Sequence, residues 1–216
     1  YISAPHLDDL QCVYGCLVGF IAAKNSHSVP VLAVFDNEET GSLTKQGADS
    51  TFLEEVLKRI SLASGKDEER HYRAVSSSFM VSADNAHALH PNHPEKADPI
   101  NRPMINKGIV IKFNAAQHYT TDAVSCAVYR DLCESNDIPV QVFTNRSDTR
   151  GGSTLGNVSN AHVSLNTVDI GLAQLAMHSC YETVGARDTK HLVDAMTIFY
   201  SKTFRVDAGG SFELLD

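Results

Sequence analysis

The run Ile109-Val110-Ile111-Lys112-Phe113 is short and almost wholly apolar, and the segments around it indicate the fold class. Such a run, bounded by polar residues, predicts a buried strand. Residues 121–134 predict a helix, and residues 139–144 predict a second apolar strand. Strands that alternate with helices are typical of a sheet whose strands run mostly parallel.

The same alternation continues on both sides of this unit. Further strands are predicted at 29–35, 79–83 and 167–170, and further helices at 10–24, 52–60 and 189–204. Residues 10–24 carry apolar side chains around most of the helix circumference, which predicts a buried helix. Residues 87–102 are polar and rich in proline, which predicts a loop. The sequence therefore predicts an α/β fold, a three-layer sandwich with a mostly parallel central sheet.

Composition and charge limit the classes of partner. The chain has 216 residues, 43% of them hydrophobic, which suits a globular domain with a sizeable core. Its formal net charge is −8, and phosphate binding needs clustered Lys and Arg, so no nucleic-acid partner is expected. No apolar run approaches the ~20 residues that span a bilayer, and the first residues do not resemble a signal peptide, so no membrane partner is expected.

The cysteines indicate a compartment. There are five: Cys12, Cys16, Cys126, Cys133 and Cys180. Their odd number and mostly apolar neighbours predict buried free thiols rather than disulfides. We therefore expect a reducing environment and a cytoplasmic location.

An acidic segment follows the predicted strand at 29–35. It reads Asp36-Asn37-Glu38-Glu39-Thr40-Gly41-Ser42 and places three carboxylates in four positions. In sheets of this kind, ligands bind beyond the carboxyl ends of the strands. Neighbouring carboxylates repel each other, and a bound cation would offset that repulsion. One Glu could then bind the ion while the other takes a proton from water. A solvated acidic turn is the alternative.

Other candidate ligands lie at the ends of predicted elements. Asp84 follows the strand at 79–83, Asp8 and Asp9 precede the first helix, and His178 lies among apolar residues late in the chain. Taken singly, the acids fit helix N-caps and His178 fits a core histidine. Taken together, they form a mixed oxygen and nitrogen set that suits Zn²⁺, Co²⁺ or Mn²⁺.

A histidine tract follows Asp84. The spacing of His87, His90 and His93 resembles that of metal ligands. For His90 and His93 we favour ordinary loop histidines, because neighbouring prolines disrupt a regular ligand face.

These segments resemble those of the aspartyl aminopeptidase and aminopeptidase I family, which are di-zinc metalloaminopeptidases. The matching stretches are residues 3–10, 36–42, 82–92, 106–112, 117–119 and 176–179. They occur in order over nearly the whole chain. The acidic segment at 36–42 and the segment Ala176-Met177-His178-Ser179 are together highly specific.

The resemblance implies a role for each candidate ligand. Asp8 would bridge two divalent metal ions, with zinc expected and cobalt or manganese possible. Glu39 and His178 would complete one ion, and Asp84 would bind the other. Glu38 would be the general base.

The resemblance also implies a substrate pocket. Its lining residues would be His87, Lys112 and Tyr119, and residues 147–154 match a family loop that faces the site. Lys112 could pair with an acidic substrate side chain. A strand lysine that extends toward solvent is the alternative.

Several departures from the family pattern bear on activity. His6, Asp9 and His118 stand where the family usually has Arg, Asn and Arg. The family's further histidine ligand, from an N-terminal strand, and its inserted oligomerisation domain have no counterpart here. We therefore expect residues 1–216 to be a metallopeptidase catalytic domain without those parts. Four candidate ligands predict one good metal site and one defective site.

The sequence thus predicts an enzyme that hydrolyses the N-terminal residue, Asp or Glu, from peptides. The intact enzyme is expected to be a homo-oligomer. The alternatives are an aminopeptidase of the same family that prefers neutral residues, and a catalytically incomplete fragment. An α/β hydrolase with a serine nucleophile is disfavoured, because the Gly-x-Ser-x-Gly motif is absent.

Overall fold

The computed structural model describes residues 1–24, 27–149, 151–207 and 209–215. The helices of this part are α1 (Leu7–Ala22), α2 (Phe52–Ala63), α3 (Glu68–Ser76), α4 (Ala123–Glu134), α5 (Leu155–Asn160) and α6 (Ala186–Ser201). The strands are β1 (Ile2–Ala4), β2 (Phe79–Ala83), β3 (Ala86–His87), β4 (Ile109–Phe113), β5 (Val140–Thr144), β6 (Asn166–Gly171), β7 (Ala173–Leu175), β8 (Glu182–Val184), β9 (Thr203–Val206) and β10 (Phe212–Leu215). None of the described helices is long and apolar enough to cross a membrane.

The main sheet has the strand order β2-β6-β4-β5. β2 pairs with β6 in parallel, β4 pairs with β5 in parallel, and β4 meets β6 antiparallel. A smaller sheet has the order β1-β8-β7-β3, and β9 pairs with β10 in an antiparallel hairpin. The predicted α/β class is confirmed, and within the main sheet two of the three pairings are parallel.

The two faces of the main sheet differ in polarity because strand side chains alternate between faces. One face packs on α1, α4 and α6, and its residues Ile109, Ile111, Val168 and Ile170 have no exposed surface. The opposite face carries Ser82, Lys112 and Asp169, all buried, and α5 packs over part of it. The apolar face forms the core, and the polar face leads toward the candidate site.

Glycines allow α1 and α6 to pack closely. A Cβ atom at Gly15 would lie 2.6 Å from the Leu192 side chain, and one at Gly19 would lie 2.6 Å from Met196 Cβ. The opposite side of α1 is exposed at Leu10, among other apolar residues. The prediction of a buried helix was therefore wrong for this side of α1, which neither α6 nor the main sheet covers.

Residues 29–35 do not form a strand, and the prediction of a central strand there was wrong. A strand is defined by hydrogen bonds to a neighbouring strand, so an apolar run alone does not make one. Among the described strands, β2 pairs with β6 alone and lies at the edge of the main sheet. Residues 29–35 and β2 line the same cavity of about 950 Å³ instead of pairing.

Other elements differ from the predictions in their bounds or were not predicted, among them α5 and the strands β1, β7 and β8. The last helix ends at Ser201, and residues 203–206 form β9 rather than its final turn. Helix α3 was not predicted, although Asp67 caps it by accepting a hydrogen bond from Arg70 N at 2.9 Å. The five cysteines are free, but Cys180 is exposed and Cys126 is only partly buried, so the expectation that all are buried was wrong for these two residues.

We predict that Gly19→Ala lowers the free energy of unfolding. The new methyl group would lie 2.9 Å from the Met196 carbonyl carbon as well as near its Cβ, so α1 and α6 would have to separate. Overpacking costs about 1–3 kcal/mol, which exceeds the ~1 kcal/mol by which alanine favours a helix over glycine. Urea unfolding measures the difference.

Gly152→Ala is the matched control, because a Cβ atom there meets nothing within 4 Å. Its effect should stay within about 0.5 kcal/mol. Equal or higher stability of Gly19→Ala would show that the two helices can separate at no cost.

Candidate metal centre

Three elements bring Asp8, Glu39 and His178 together. Asp8 lies at the start of α1, where the backbone is not yet helical, and Glu39 lies in the turn after residues 29–35. His178 lies between β7 and β8 and has a left-handed backbone with φ of 65°. Its Nε2 atom is 3.2 Å from Asp8 Oδ2 and 3.0 Å from Glu39 Oε2. Two carboxylates and one imidazole at this spacing match the donors that zinc prefers.

A second group of donors shares Asp8 with the first. Ligand atoms of Asp8, Asp9 and Asp84 lie within 4.8 Å of one another. The Oδ1 atoms of Asp8 and Asp9 are buried without a hydrogen-bond partner. A buried oxygen without a donor is costly, and a divalent cation would supply the missing partner. The chemistry of these residues therefore fits a metal ion.

The acids of the cluster disfavour one another's ionisation. Burial, then the charges of Asp84 and Glu39, raises the pKa of Asp8 from 3.8 to about 8. Burial and the same two charges raise the pKa of Glu38 from 4.5 to about 7. Burial, with Asp84 next, raises the pKa of Asp9 well above its ordinary value. A bound cation would offset this effect and favour the ionised form of these acids.

Lys112 supplies part of the opposing charge from the polar face of β4. Its side chain is 2% exposed, and Nζ donates hydrogen bonds to Asp84 O at 2.8 Å and Asn85 O at 3.2 Å. The Asp84 carboxylate is 3.3 Å away, and the Tyr119 ring centroid is 5.3 Å away. Burial lowers the pKa of Lys112, but the nearby acids outweigh it and raise that pKa overall. The interpretation as a solvent-reaching lysine was wrong.

All eight residues predicted for the site line one cavity of about 410 Å³. They are Asp8, Glu38, Glu39, Asp84, His87, Lys112, Tyr119 and His178. The loop residues His90 and His93 line it too, whereas Arg150 of the matching loop lies outside the described residues.

The structure contradicts the N-cap alternative for Asp8, Asp9 and Asp84 and the core alternative for His178, although Asp8 and Asp9 do lie in the first turn of α1, where acids interact favourably with the helix dipole. No helix follows Asp84, and His6 rather than an acid is the N-cap residue of α1. His178 has 62% of its side chain exposed, so it is not a core histidine.

Two buried residues at the site were not predicted. Glu182 accepts hydrogen bonds from Asp8 N and His178 N, each at 2.9 Å. Asn85 donates from Nδ2 to Leu7 O at 3.1 Å and to Gln174 Oε1 at 2.5 Å, which ties the start of α1 to β7. Both follow predicted ligands closely in the sequence: Asn85 is the residue after Asp84, and Glu182 lies four residues after His178. That proximity was the available signal.

The fold and the site define the class as an α/β protein with a candidate centre for divalent metal ions. A sequence model of the family described as Aminopeptidase I zinc metalloprotease (M18) matches residues 1–200, and the chain belongs to this family. The resemblance found in the motifs is thereby confirmed.

Individual relatives and solved structures support the same family. The chain is 51% identical over 201 residues to a probable M18 family aminopeptidase 2 of Clostridium acetobutylicum, which covers 93% of this chain and 46% of that protein. It matches the structure of the S. cerevisiae mApe1 dodecamer with a TM-score of 0.79 and 30% identity, over 92% of this chain and 45% of that one. It matches a structure of the Ape4 and Nbr1 complex with a TM-score of 0.87 and 36% identity, over 92% of this chain and 39% of that one. The chain thus spans about half the length of the curated relatives it matches.

We predict that the metal-free protein loses stability as the pH rises from about 4 to about 8. Asp8 and Glu38 have higher pKa values in the folded than in the unfolded chain, so the folded state binds more protons in this window. Their contribution to stability is fully present at a pH below their pKa values in the unfolded chain. It is lost as the pH rises through their pKa values in the folded chain. Thermal unfolding after chelation measures this slope, and added zinc should raise the midpoint more at pH 8 than at pH 5.5.

Glu38→Gln should flatten the slope because it removes one of these groups. Glu69→Gln, at an exposed position on α3, is the control and should leave the slope unchanged. A midpoint that rises from pH 5.5 to pH 8 without metal would contradict this account.

Proposed function

We propose that this chain is the metal-binding part of the catalytic domain of a zinc aminopeptidase that removes the N-terminal residue from peptides. The observation that carries the proposal is the convergence of Asp8, Glu39 and His178, with Glu38 beside them, on one cavity. Membership of a family described as zinc metalloproteases, and relatives named as aminopeptidases, support it.

Two ions are part of the proposal. Glu39 and His178 would hold one ion, Asp84 would hold the other, and Asp8 would bridge them. The sharing of Asp8 by both groups of close donor atoms supports that arrangement. When bound, such ions lower the pKa of water and polarise a carbonyl group.

Glu38 is the proposed general base. It lines the cavity next to the ligands, and its pKa of about 7 is close to the value at which proton transfer is efficient near neutral pH. Its carboxylate takes a proton from the attacking water and then passes that proton to the leaving amine. His87 and Tyr119 line the same cavity and can donate hydrogen bonds to the carbonyl oxygen of the peptide bond under attack, on which negative charge develops.

A preference for acidic N-terminal residues, Asp or Glu, is the finer part of the proposal. Lys112 motivates it as a buried cation at the cavity wall. In the structure, however, Lys112 already donates to oxygens of Asp84 and Asn85. An acidic substrate would therefore have to share this ammonium group, and a preference for neutral residues is the second candidate on that ground.

The location and assembly complete the proposal. Free cysteines favour the cytoplasm, and the relative described as a dodecamer favours a homo-oligomeric intact enzyme. Peptides are the proposed substrates, and neither nucleic acid nor membrane is expected as a partner.

We predict that Glu38→Gln keeps its zinc but loses turnover. Loss of a general base lowers the rate roughly 10²–10⁴-fold, whereas loss of a ligand removes the metal. Metal content and hydrolysis of Asp- and Leu-p-nitroanilide should be measured on the 216-residue chain and on this variant. Glu39→Gln is the matched control, and it should lose metal as well as activity.

The outcomes separate the alternatives. If Glu38→Gln lost its zinc, Glu38 would be a ligand and not the base. Zinc in the unaltered chain without any turnover would favour a catalytically incomplete fragment. Zinc titration should show one tight and one weak site, and two equally tight sites would contradict the expected defect.

We predict that Lys112→Met lowers kcat/KM for Asp-p-nitroanilide more than for Leu-p-nitroanilide. A hydrogen bond to a charged group contributes about 1.5–3 kcal/mol, so the ratio of the two values should fall roughly tenfold or more. The ratio of the two kcat/KM values is compared because loss of the Lys112 charge beside Asp84 should lower kcat/KM for both substrates. An unchanged ratio would show that Lys112 does not recognise an acidic side chain and would favour the preference for neutral residues.

A further inference from the structure

We propose that Glu182 is a positioning residue that holds the Asp8 and His178 backbones in the geometry a metal ion requires. The inference rests on the proposed function, because it concerns the same ligands. It adds a residue that does not itself bind the ion.

The geometry of Glu182 joins two distant parts of the chain. Its Oε2 atom accepts the Asp8 backbone N–H at 2.9 Å, and its Oε1 atom accepts the His178 backbone N–H at 2.9 Å. The residue is 3% exposed, so solvent does not compete for these bonds. Each carboxylate oxygen therefore fixes one ligand segment.

Both ligand segments need such support because neither has regular backbone hydrogen bonding at the ligand. Asp8 has a non-helical backbone at the start of α1. His178 lies in a turn with positive φ, which a residue with a side chain rarely adopts without outside restraint.

Glu182 itself is firmly held. It opens β8, which pairs with β1 on one side and β7 on the other. Ala4 of β1 lies opposite Glu182, and β1 leads directly to Asp8, while β7 leads directly to His178. β8, an inner strand of this sheet, therefore carries a carboxylate that reaches the segments following both of its neighbours.

The placement is costly unless it serves the site. Glu182 adds a buried negative charge beside a cluster that already repels itself, and folding alone is often served better by an apolar residue of similar size. Outer residues that orient metal ligands typically contribute 10–100-fold to metal affinity. We assign Glu182 that role.

The test compares Glu182→Ala and Glu182→Gln with Thr183→Val. Thr183 is the next residue of β8, and its hydroxyl forms a hydrogen bond with Ser3 Oγ of β1 at 2.8 Å. Thr183→Val therefore removes a side-chain hydrogen bond between β8 and β1 without affecting the proposed ligands. Two quantities are measured on each 216-residue protein. The first is zinc affinity by competition with a chelator, and the second is amide hydrogen exchange at Asp8 and His178 in the metal-free protein.

We expect Glu182→Ala to bind zinc roughly 10–100-fold more weakly and to lose exchange protection at both amides. Glu182→Gln keeps a single acceptor oxygen, so one of the two amides should stay protected and zinc should bind with intermediate affinity. Thr183→Val should match the unaltered protein in both measurements. Circular dichroism confirms folding, and Glu182→Gln decides the matter if the alanine variant does not fold.

Two results would overturn the proposal. One is zinc affinity unchanged in both Glu182 variants. The other is weaker zinc binding with both amides still protected, which would show that Glu182 acts through its charge alone. If the unaltered chain binds no zinc, the proposed function fails, and amide exchange by itself still decides whether Glu182 positions the two segments.

Discussion

The repulsion among closely placed carboxylates is the constraint on which the rest of the structure depends. Five of them meet at one end of the fold: Asp8, Asp9, Glu38, Glu39 and Asp84. Burial, together with their mutual repulsion, raises the pKa of Asp8 to about 8. Such a cluster is stable only where fixed opposing charge and hydrogen bonds hold it. Lys112 supplies the charge, and the surrounding backbone supplies the framework.

That framework explains why the fold has two sheets of different character. The main sheet contributes Asp84 just beyond β2 and Lys112 from β4, and its apolar face packs on α1, α4 and α6. The smaller sheet leads through β1 to Asp8 and through β7 to His178. Close packing of α1 on α6, which the glycines permit, fixes where α1 begins and hence where Asp8 lies. Stability and the candidate chemistry therefore depend on the same contacts.

Much of the fold could be predicted where a segment's pattern is local. The strands at 79–83 and 109–113 have the predicted bounds, because their apolar runs and flanking polar residues are features of adjacent positions. Residues 29–35 have the same kind of pattern and form no strand, because pairing depends on a neighbour that composition does not reveal. Helix α3 was not predicted because most of its side chains are polar, although Asp67 was a recognisable N-cap residue in the sequence.

The sequence by itself determined which side chains could serve the site. The types and motifs of Asp8, Glu39, Asp84 and His178 were sufficient to name candidate ligands and to identify the family, because chemical identity and order along the chain are properties of the sequence. Only the tertiary structure decided that Lys112 pairs with Asp84 and that Glu182 spans two ligand segments. The Lys112–Asp84 contact joins residues 28 positions apart and the Glu182–Asp8 contact joins residues 174 positions apart, and such contacts are set by sheet pairing and helix packing rather than by any local pattern.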